Sequence, residues 1–128
     1  MVVAEPDGGT LTDRDRATQP NHLERMFIAR ANARDLDGLV ALYESDAVLM
    51  TFPRREIAVG RREIRDALER MLAEQQEFVL GEQRPPVVSG DVALTSTRLP
   101  DGAITTEVAR RQPDGTWLWV IDRYNILE

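Results

Sequence analysis

Two copies of the tripeptide Pro-Asp-Gly, at 100–102 and 113–115, constrain the fold of this chain more than any other feature. They separate three runs of strand-like residues, 92–99, 103–111 and 117–127. Proline suits the first corner of a type I turn, and glycine suits the left-handed position of a three-residue hairpin loop. The sequence therefore predicts three consecutive antiparallel strands whose register is set by the two turns.

The loop length also predicts which residues lie opposite one another. With three-residue loops, Gln112 faces Thr116 and Leu99 faces Ala103. The rows expected on one face are Val92, Arg110 and Leu118; Leu94, Val108 and Val120; Ser96, Thr106 and Asp122; and Arg98, Ile104 and Tyr124. A two-residue Asp-Gly loop is the competing option, and it would exchange these partners.

The two faces of the expected sheet differ in character. The face with the rows above is aliphatic in its middle and has a polar row at Asp122, so we expect it on the concave side, against the helices. The opposite face carries Trp119, Ile121 and Arg123 together with Glu107. A face that is half apolar and half charged favours a contact between two copies of the chain, so we expect a homodimer through it.

Bulk composition narrows the class of protein. A chain of 128 residues is most simply one domain, and residues 1–18, which are polar and aperiodic, are expected to form a flexible tail before a single domain over 19–128. The net charge of −6 argues against a nucleic-acid partner, and no apolar run approaches the ~20 residues of a membrane span. No signal peptide is visible, so a cytoplasmic location is expected.

The first part of the chain has helical periodicity. Asn21 followed by Glu24 is a capping-box pattern, and the apolar residues after it predict a helix that ends near Arg34. The elements expected next are a short helix after Asp37, a strand over 47–52 and a helix over about 62–75. Helices followed by a run of strands with one inserted helix are typical of an α+β fold.

Three stretches carry a resemblance to a known family: DLDGLVALYESDAVLM, VGRREIRDAL and EVARRQPDGTWLWVID. In this order and spacing, over about residues 21–127, the chain resembles the NTF2-like superfamily in its SnoaL-like or DUF4440-like branch. The resemblance implies a curved antiparallel sheet wrapped around N-terminal helices, a cone-shaped pocket and frequent dimerisation through the sheet. The family includes isomerases, cyclases, hydrolases, dehydratases and non-catalytic modules, so the fold alone does not decide the function.

Asp122 is the candidate catalytic residue. A carboxyl group on an apolar wall has a raised pKa, which suits a general acid or base near neutral pH. The resemblance adds weight, because SnoaL-like cyclases are described as using an acidic residue in such a pocket. The alternative is a structural role, in which Asp122 bonds the hydroxyls of Ser96 and Thr106 or pairs with an arginine.

Further side chains are candidates for binding a substrate. Arg98 or Arg110 would orient an anionic or carbonyl oxygen if it pointed inward. The other candidates are Ser96, Thr106, Tyr124, Tyr43, expected at the end of the second helix, and Met50 on the first strand. With one histidine and no cysteine, the sequence predicts neither a metal site nor a cofactor.

The resulting hypothesis is a small cofactor-free enzyme of the isomerase, cyclase or dehydratase type, in which Asp122 moves a proton on an apolar, carbonyl-bearing molecule. The alternative is a non-catalytic dimer that binds a small hydrophobic molecule or another protein. An open cavity beside Asp122 would favour the enzyme or ligand binder. A cone plugged by Met26, Phe27, Met71 and Tyr43 would favour a structural role.

Overall fold

The helices and strands follow the expected order. The computed structural model describes residues 16–51 and 55–127. Its elements are α1 (His22–Asn32), α2 (Leu36–Val40), β1 (Tyr43–Met50), β2 (Ile57–Val59), α3 (Gly60–Glu74), β3 (Glu82–Gln83), β4 (Val87–Ser89), β5 (Val92–Arg98), β6 (Ile104–Arg111) and β7 (Trp117–Arg123). The predicted α+β class is confirmed. Among the described residues, no helix is long and apolar enough to cross a membrane.

The strands form one curved sheet of seven strands in the order β2-β1-β7-β6-β5-β3, with β4 also paired to β5. All pairs are antiparallel except β1 and β7, which run parallel. This parallel pair brings the start of β1, at Tyr43, beside Trp119 in β7. Tyr43 therefore belongs to a strand, and its expected place in the second helix was wrong.

Both expected helix caps differ in the structure. Asn21 has helical backbone angles and makes no side-chain cap; its amide instead donates to the Arg84 carbonyl at 3.2 Å. The second helix is capped by Asp35, whose carboxylate accepts from the Gly38 N–H at 2.9 Å, and not by Asp37. No capping box forms at this helix, and the side chain of Glu24 lines the cavity described below.

The predicted strand register is confirmed for one hairpin and half right for the other. Every β5–β6 partner agrees with the three-residue loop, from Val92–Arg110 to Arg98–Ile104. The β6–β7 register starts as expected, with Arg110 opposite Leu118, and then shifts by one residue. Val120 is the extra residue of a β-bulge, so Glu107, and not Thr106, lies opposite Asp122.

The bulge decides which face Asp122 joins. Trp119 and Asp122 are three residues apart, so regular alternation would point them to opposite faces. With the bulge between them, both are buried on the concave side together with Ala93, Thr95, Thr97, Thr105, Glu107 and Ala109.

The expected assignment of the two faces was therefore wrong. The aliphatic residues of β5 to β7 are on the convex face, where Leu94 is 47% exposed and Ile121 is 46% exposed. Trp119, expected at the dimer contact, is 1% exposed and packs inside the cone, whereas Arg123 is on the convex face opposite Thr106. Amphipathic alternation identifies two faces, but it does not say which one the helices cover.

The core lies between the concave face and the helices. Its members from α1, α2 and α3 include Leu23, Met26, Leu39, Ile64 and Leu68. Ala17, which the expected tail of residues 1–18 includes, is also buried in this core, and its carbonyl accepts from the Trp117 N–H at 2.8 Å. Residues 1–15 lie outside the described residues, so the division into tail and domain stays a prediction.

Candidate functional site

An open cavity of about 340 Å³ lies between α1, α3 and the concave face. Phe27, Tyr43 and Met71, which would fill the cone in a purely structural protein, line its wall instead, and Met26 lies in the core. The other lining residues are Glu24, Ile28, Leu49, Thr51, Glu56, Ala67, Leu68, Arg70, Glu74, Gln75, Phe78, Val79, Leu99, Thr105, Glu107, Trp119, Asp122 and Tyr124. The volume is in the range of small-molecule sites.

Asp122 lines this cavity and is paired with a tyrosine. The Tyr43 hydroxyl donates to Oδ2 of Asp122 at 2.6 Å, a hydrogen bond that joins the parallel strands β1 and β7. Asp122 is buried, with 8% of the residue exposed. Burial raises the pKa of Asp122 to about 6, and the Tyr43 hydrogen bond offsets part of that rise by favouring the ionised form.

Glu107 is the second buried acid and lies across the strand pair from Asp122. It is 2% exposed, and the Thr95 hydroxyl donates to its Oε1 at 2.7 Å. Burial, followed by the charge of Asp122, raises the pKa of Glu107 to about 8. Two hydroxyl groups, those of Thr105 and Thr95, favour the ionised form and partly offset this rise. The Thr105 hydroxyl is close to Glu107 but makes no full hydrogen bond.

Glu24 extends from α1 toward the same cavity. Its pKa is raised well above the usual value, first by burial and then by the charges of Glu107 and Asp122. Among the described residues, no hydrogen-bond donor reaches its carboxyl group. The site thus holds three acids, one from a helix and two from neighbouring strands, and burial raises the pKa of each.

Two tyrosines complete the polar wall. The pKa of Tyr43 is raised by burial, by the charge of Asp122 and the hydrogen bond to it, and by Glu24 and Glu107, so its hydroxyl keeps its proton. Arg61 holds the Tyr43 backbone in place by donating from Nε to its carbonyl at 2.9 Å. Burial and the nearby acids Asp101 and Glu24 raise the pKa of the half-buried Tyr124.

Of the residues expected at the site, Asp122, Tyr43 and Tyr124 line the cavity. Ser96, Thr106, Arg98 and Arg110 do not, and the expectation that they do was wrong, because their strands present them on the convex face. There Ser96 donates to the Thr105 carbonyl at 2.8 Å, and Arg110 forms an ion pair with Glu44 at 2.9 Å. Met50 pairs with Arg123 on the convex side, whereas its neighbour Leu49 faces the cavity.

Sequence reasoning missed Glu24 and Glu107 as site residues. For Glu107 the sequence carried a usable signal. The correctly predicted β5–β6 register places this acid opposite Thr95, on the same face as Ala109 and Trp119. Glu24 carried none, because its spacing from Asn21 also matches a capping box. Within the described residues, no three acidic or histidine side chains are grouped closely enough to hold a metal ion.

The family of this fold is shown by a match over residues 23–127 to the SnoaL-like domain. The chain belongs to the SnoaL-like domain family. No curated protein matches the chain at a significant level. The resemblance to the NTF2-like superfamily in its SnoaL-like branch is confirmed.

Solved structures share the fold at low identity. A ketosteroid isomerase-like protein from Erwinia carotovora is 23% identical with a TM-score of 0.62, over 80% of this chain and 89% of that one. An NTF2-like protein of unknown function from Pseudomonas putida is 19% identical with a TM-score of 0.61, over 82% of each chain. A SnoaL-like protein of unknown function from Burkholderia thailandensis is 18% identical with a TM-score of 0.57, over 80% and 90%. At these identities the similarity shows the fold alone.

Proposed function

We propose that this SnoaL-like domain is a cofactor-free enzyme of the isomerase type that moves a proton on an apolar, carbonyl-bearing molecule. The observation that carries the proposal is the pair Tyr43–Asp122 at the wall of an open cavity, beside a second buried acid, Glu107. The likeness to a ketosteroid isomerase-like protein supports this reaction class. Cyclisation and dehydration need the same acid–base groups and are variants of the proposal.

The two strand acids suit different roles, because their environments separate their pKa values. With a pKa of about 6, Asp122 is mostly ionised at neutral pH and serves as the base. With a pKa of about 8, Glu107 is mostly protonated and serves as the acid. Tyr43 steadies the ionised form of Asp122 by donating to it.

A proton transfer follows from these roles. Asp122 takes a proton from the carbon next to the substrate carbonyl, and the electron pair of that C–H bond moves toward the carbonyl oxygen. Glu107 stabilises this oxygen by donating a hydrogen bond, so an enol-like intermediate forms. Asp122 then returns its proton to a different carbon, and the double bond changes position. Atoms and charge balance without a co-reactant.

The proposal is tested with a cyclic β,γ-unsaturated ketone, whose conversion to the conjugated ketone is followed by ultraviolet absorbance. Replacing Asp122 with Asn should lower the rate by about 10²–10⁴-fold, the usual range for losing a positioned base. Asp46→Asn is the matched control, because Asp46 is exposed on β1 and does not line the cavity. Equal rates for the wild type and Asp122→Asn would refute the proposed role, and a wild type without turnover would favour a binding module.

A homodimer is also proposed, through a convex apolar patch made of Val92, Leu94, Val108 and Ile121. These side chains are adjacent on three neighbouring strands, and Val92, Leu94 and Ile121 are exposed in the single chain. A contiguous aliphatic surface on an otherwise charged domain is typical of a self-contact. A cytoplasmic location, and the absence of nucleic-acid and membrane partners, remain predictions from the composition.

A further inference from the structure

Most of the charged side chains that line the cavity are acidic. Five acidic side chains line it: Glu24, Glu56, Glu74, Glu107 and Asp122. Of the arginines that the structure describes, only Arg70 lines it, and Arg70 is engaged in an ion pair with Glu56 at 3.1 Å. A bound anion would add to the repulsion among these acids, whereas a bound cation would relieve it.

The apolar part of the wall is mainly aromatic. The chain has 2 Trp, 2 Tyr and 3 Phe. The structure describes all of these except Phe52, and five of them line the cavity: Phe27, Tyr43, Phe78, Trp119 and Tyr124. Trp119 lies at the centre of the group, with ring centroids 5.2 Å from Tyr43 and 5.8 Å from Phe27. Aromatic faces beside carboxylates are the wall that recognises organic cations.

We propose that the cavity accepts an apolar molecule that carries a protonated amine, with the nitrogen beside Glu24 and the hydrocarbon against the aromatic rings. This inference rests on the proposed function and narrows its substrate to carbonyl compounds with a basic nitrogen. Tyr43 keeps its hydrogen bond to Asp122 in such a complex, and Glu24, which has no donor of its own among the described residues, gains one.

Binding of a cation should be linked to the release of protons. The groups that face the ligand are Glu24 from α1, Tyr43 from β1, Glu107 from β6, Asp122 and Tyr124 from β7 and its end, Glu74 and Arg70 from α3, and Glu56 before β2. In the empty cavity, burial and then the charges of Glu107 and Asp122 raise the pKa of Glu24 well above its usual value. A cation beside Glu24 favours the ionised form of this acid, so the affinity for an amine should rise as the pH is raised from about 6 to about 8.

The test is calorimetric titration with phenethylamine, phenethyl alcohol and phenylacetate, three probes of similar size that are cationic, neutral and anionic at neutral pH. We expect phenethylamine to bind tightest and phenylacetate weakest. The affinity for phenethylamine should rise about tenfold from pH 6 to pH 8. The heat of phenethylamine binding should differ between buffers of different ionisation enthalpy, because a proton is released. Alcohol binding should show neither effect.

Glu24→Gln sharpens the test, with Glu69→Gln as the matched control on the exposed side of α3. We expect Glu24→Gln to weaken phenethylamine binding about tenfold while alcohol binding stays unchanged, and Glu69→Gln to change neither. Phenylacetate binding as tightly as the amine, amine binding without pH dependence, or no binding of any probe would overturn the inference. Turnover of the neutral ketone that persists alongside any of these outcomes would leave the proposed function standing.

Discussion

The two faces of β5, β6 and β7 differ in an unexpected way. The buried concave face carries many polar side chains, and the exposed convex face carries aliphatic ones. The buried concave face carries acids, threonines, alanines and Trp119, whereas the exposed convex face carries Val92, Leu94 and Ile121. Part of the concave face packs in the core, and the part around Glu107 and Asp122 borders a cavity, a setting in which polar and aromatic side chains are typical. The convex aliphatic residues Val92, Leu94 and Ile121 are exposed, and no helix among the described residues covers them. The comparison shows that hydrophobicity alone does not identify the face of this sheet that the helices cover.

The largest expected change in stability comes from the concave side. Replacing Trp119 with Ala removes a fully buried ring that packs on Tyr43 and Phe27, and should lower the free energy of unfolding by about 3–5 kcal/mol. Leu94→Ala on the convex face should cost about 1 kcal/mol or less per protomer, because half of that side chain is already exposed. Urea denaturation at two protein concentrations measures both. Similar losses would contradict the assignment of the faces.

The buried acids should make the protein more stable in mild acid. The pKa of Glu107 is raised to about 8 and that of Asp122 to about 6 in the folded state, so the folded chain binds more protons than the unfolded chain between about pH 4 and pH 8. The free energy of unfolding should therefore fall by about 3 kcal/mol or more as the pH rises from 5 to 8. Denaturant unfolding across this range is the measurement, and Glu107→Gln should flatten the slope. A stability that rises with pH in this window would contradict the shared burial of these acids.

A smaller effect is expected for Asp122→Asn. The amide keeps an acceptor for the Tyr43 hydroxyl and removes a carboxylate that burial penalises, so stability should be unchanged or about 1–2 kcal/mol higher. The alternative in which Asp122 pairs with Arg98 or Arg110 is wrong, because the arginines are on the other face. A loss above ~3 kcal/mol would mean that Asp122 holds the fold together and would weaken the case for a functional acid.

The smallest change in protomer stability is expected for Ile121→Glu, which probes the convex apolar patch. A charge at the centre of a contact between two copies should convert dimers to monomers in light scattering and leave the fold of each protomer intact. Leu127→Glu is the control, since Leu127 is also an exposed aliphatic residue but lies beyond the last strand. If Ile121→Glu had the same molecular mass in solution as the wild type, the convex patch would not be the dimer contact.

The sequence predicted the order of the elements, the α+β class and the β5–β6 register, because turn chemistry and periodicity are local properties. It did not predict the bulge at Val120, since nothing in its neighbours distinguishes it from a regular strand residue. That single extra residue moved Asp122 out of the row of Ser96 and Thr106 and into the row of Glu107. Glu24 joined the site through the packing of α1 on the sheet, and no local pattern encodes such a contact.

Asp122 and Glu107 line one cavity, and we infer that burial makes both carboxyl groups hold their protons more tightly than usual. Carbon-13 NMR of the side-chain carboxyl groups, followed through a pH titration, measures both pKa values. Asp122 should titrate near pH 6 and Glu107 near pH 8, and Asp122→Asn should lower the pKa of Glu107 by removing a neighbouring charge. Titration of both groups below about pH 5, as for exposed carboxyls, would contradict this inference.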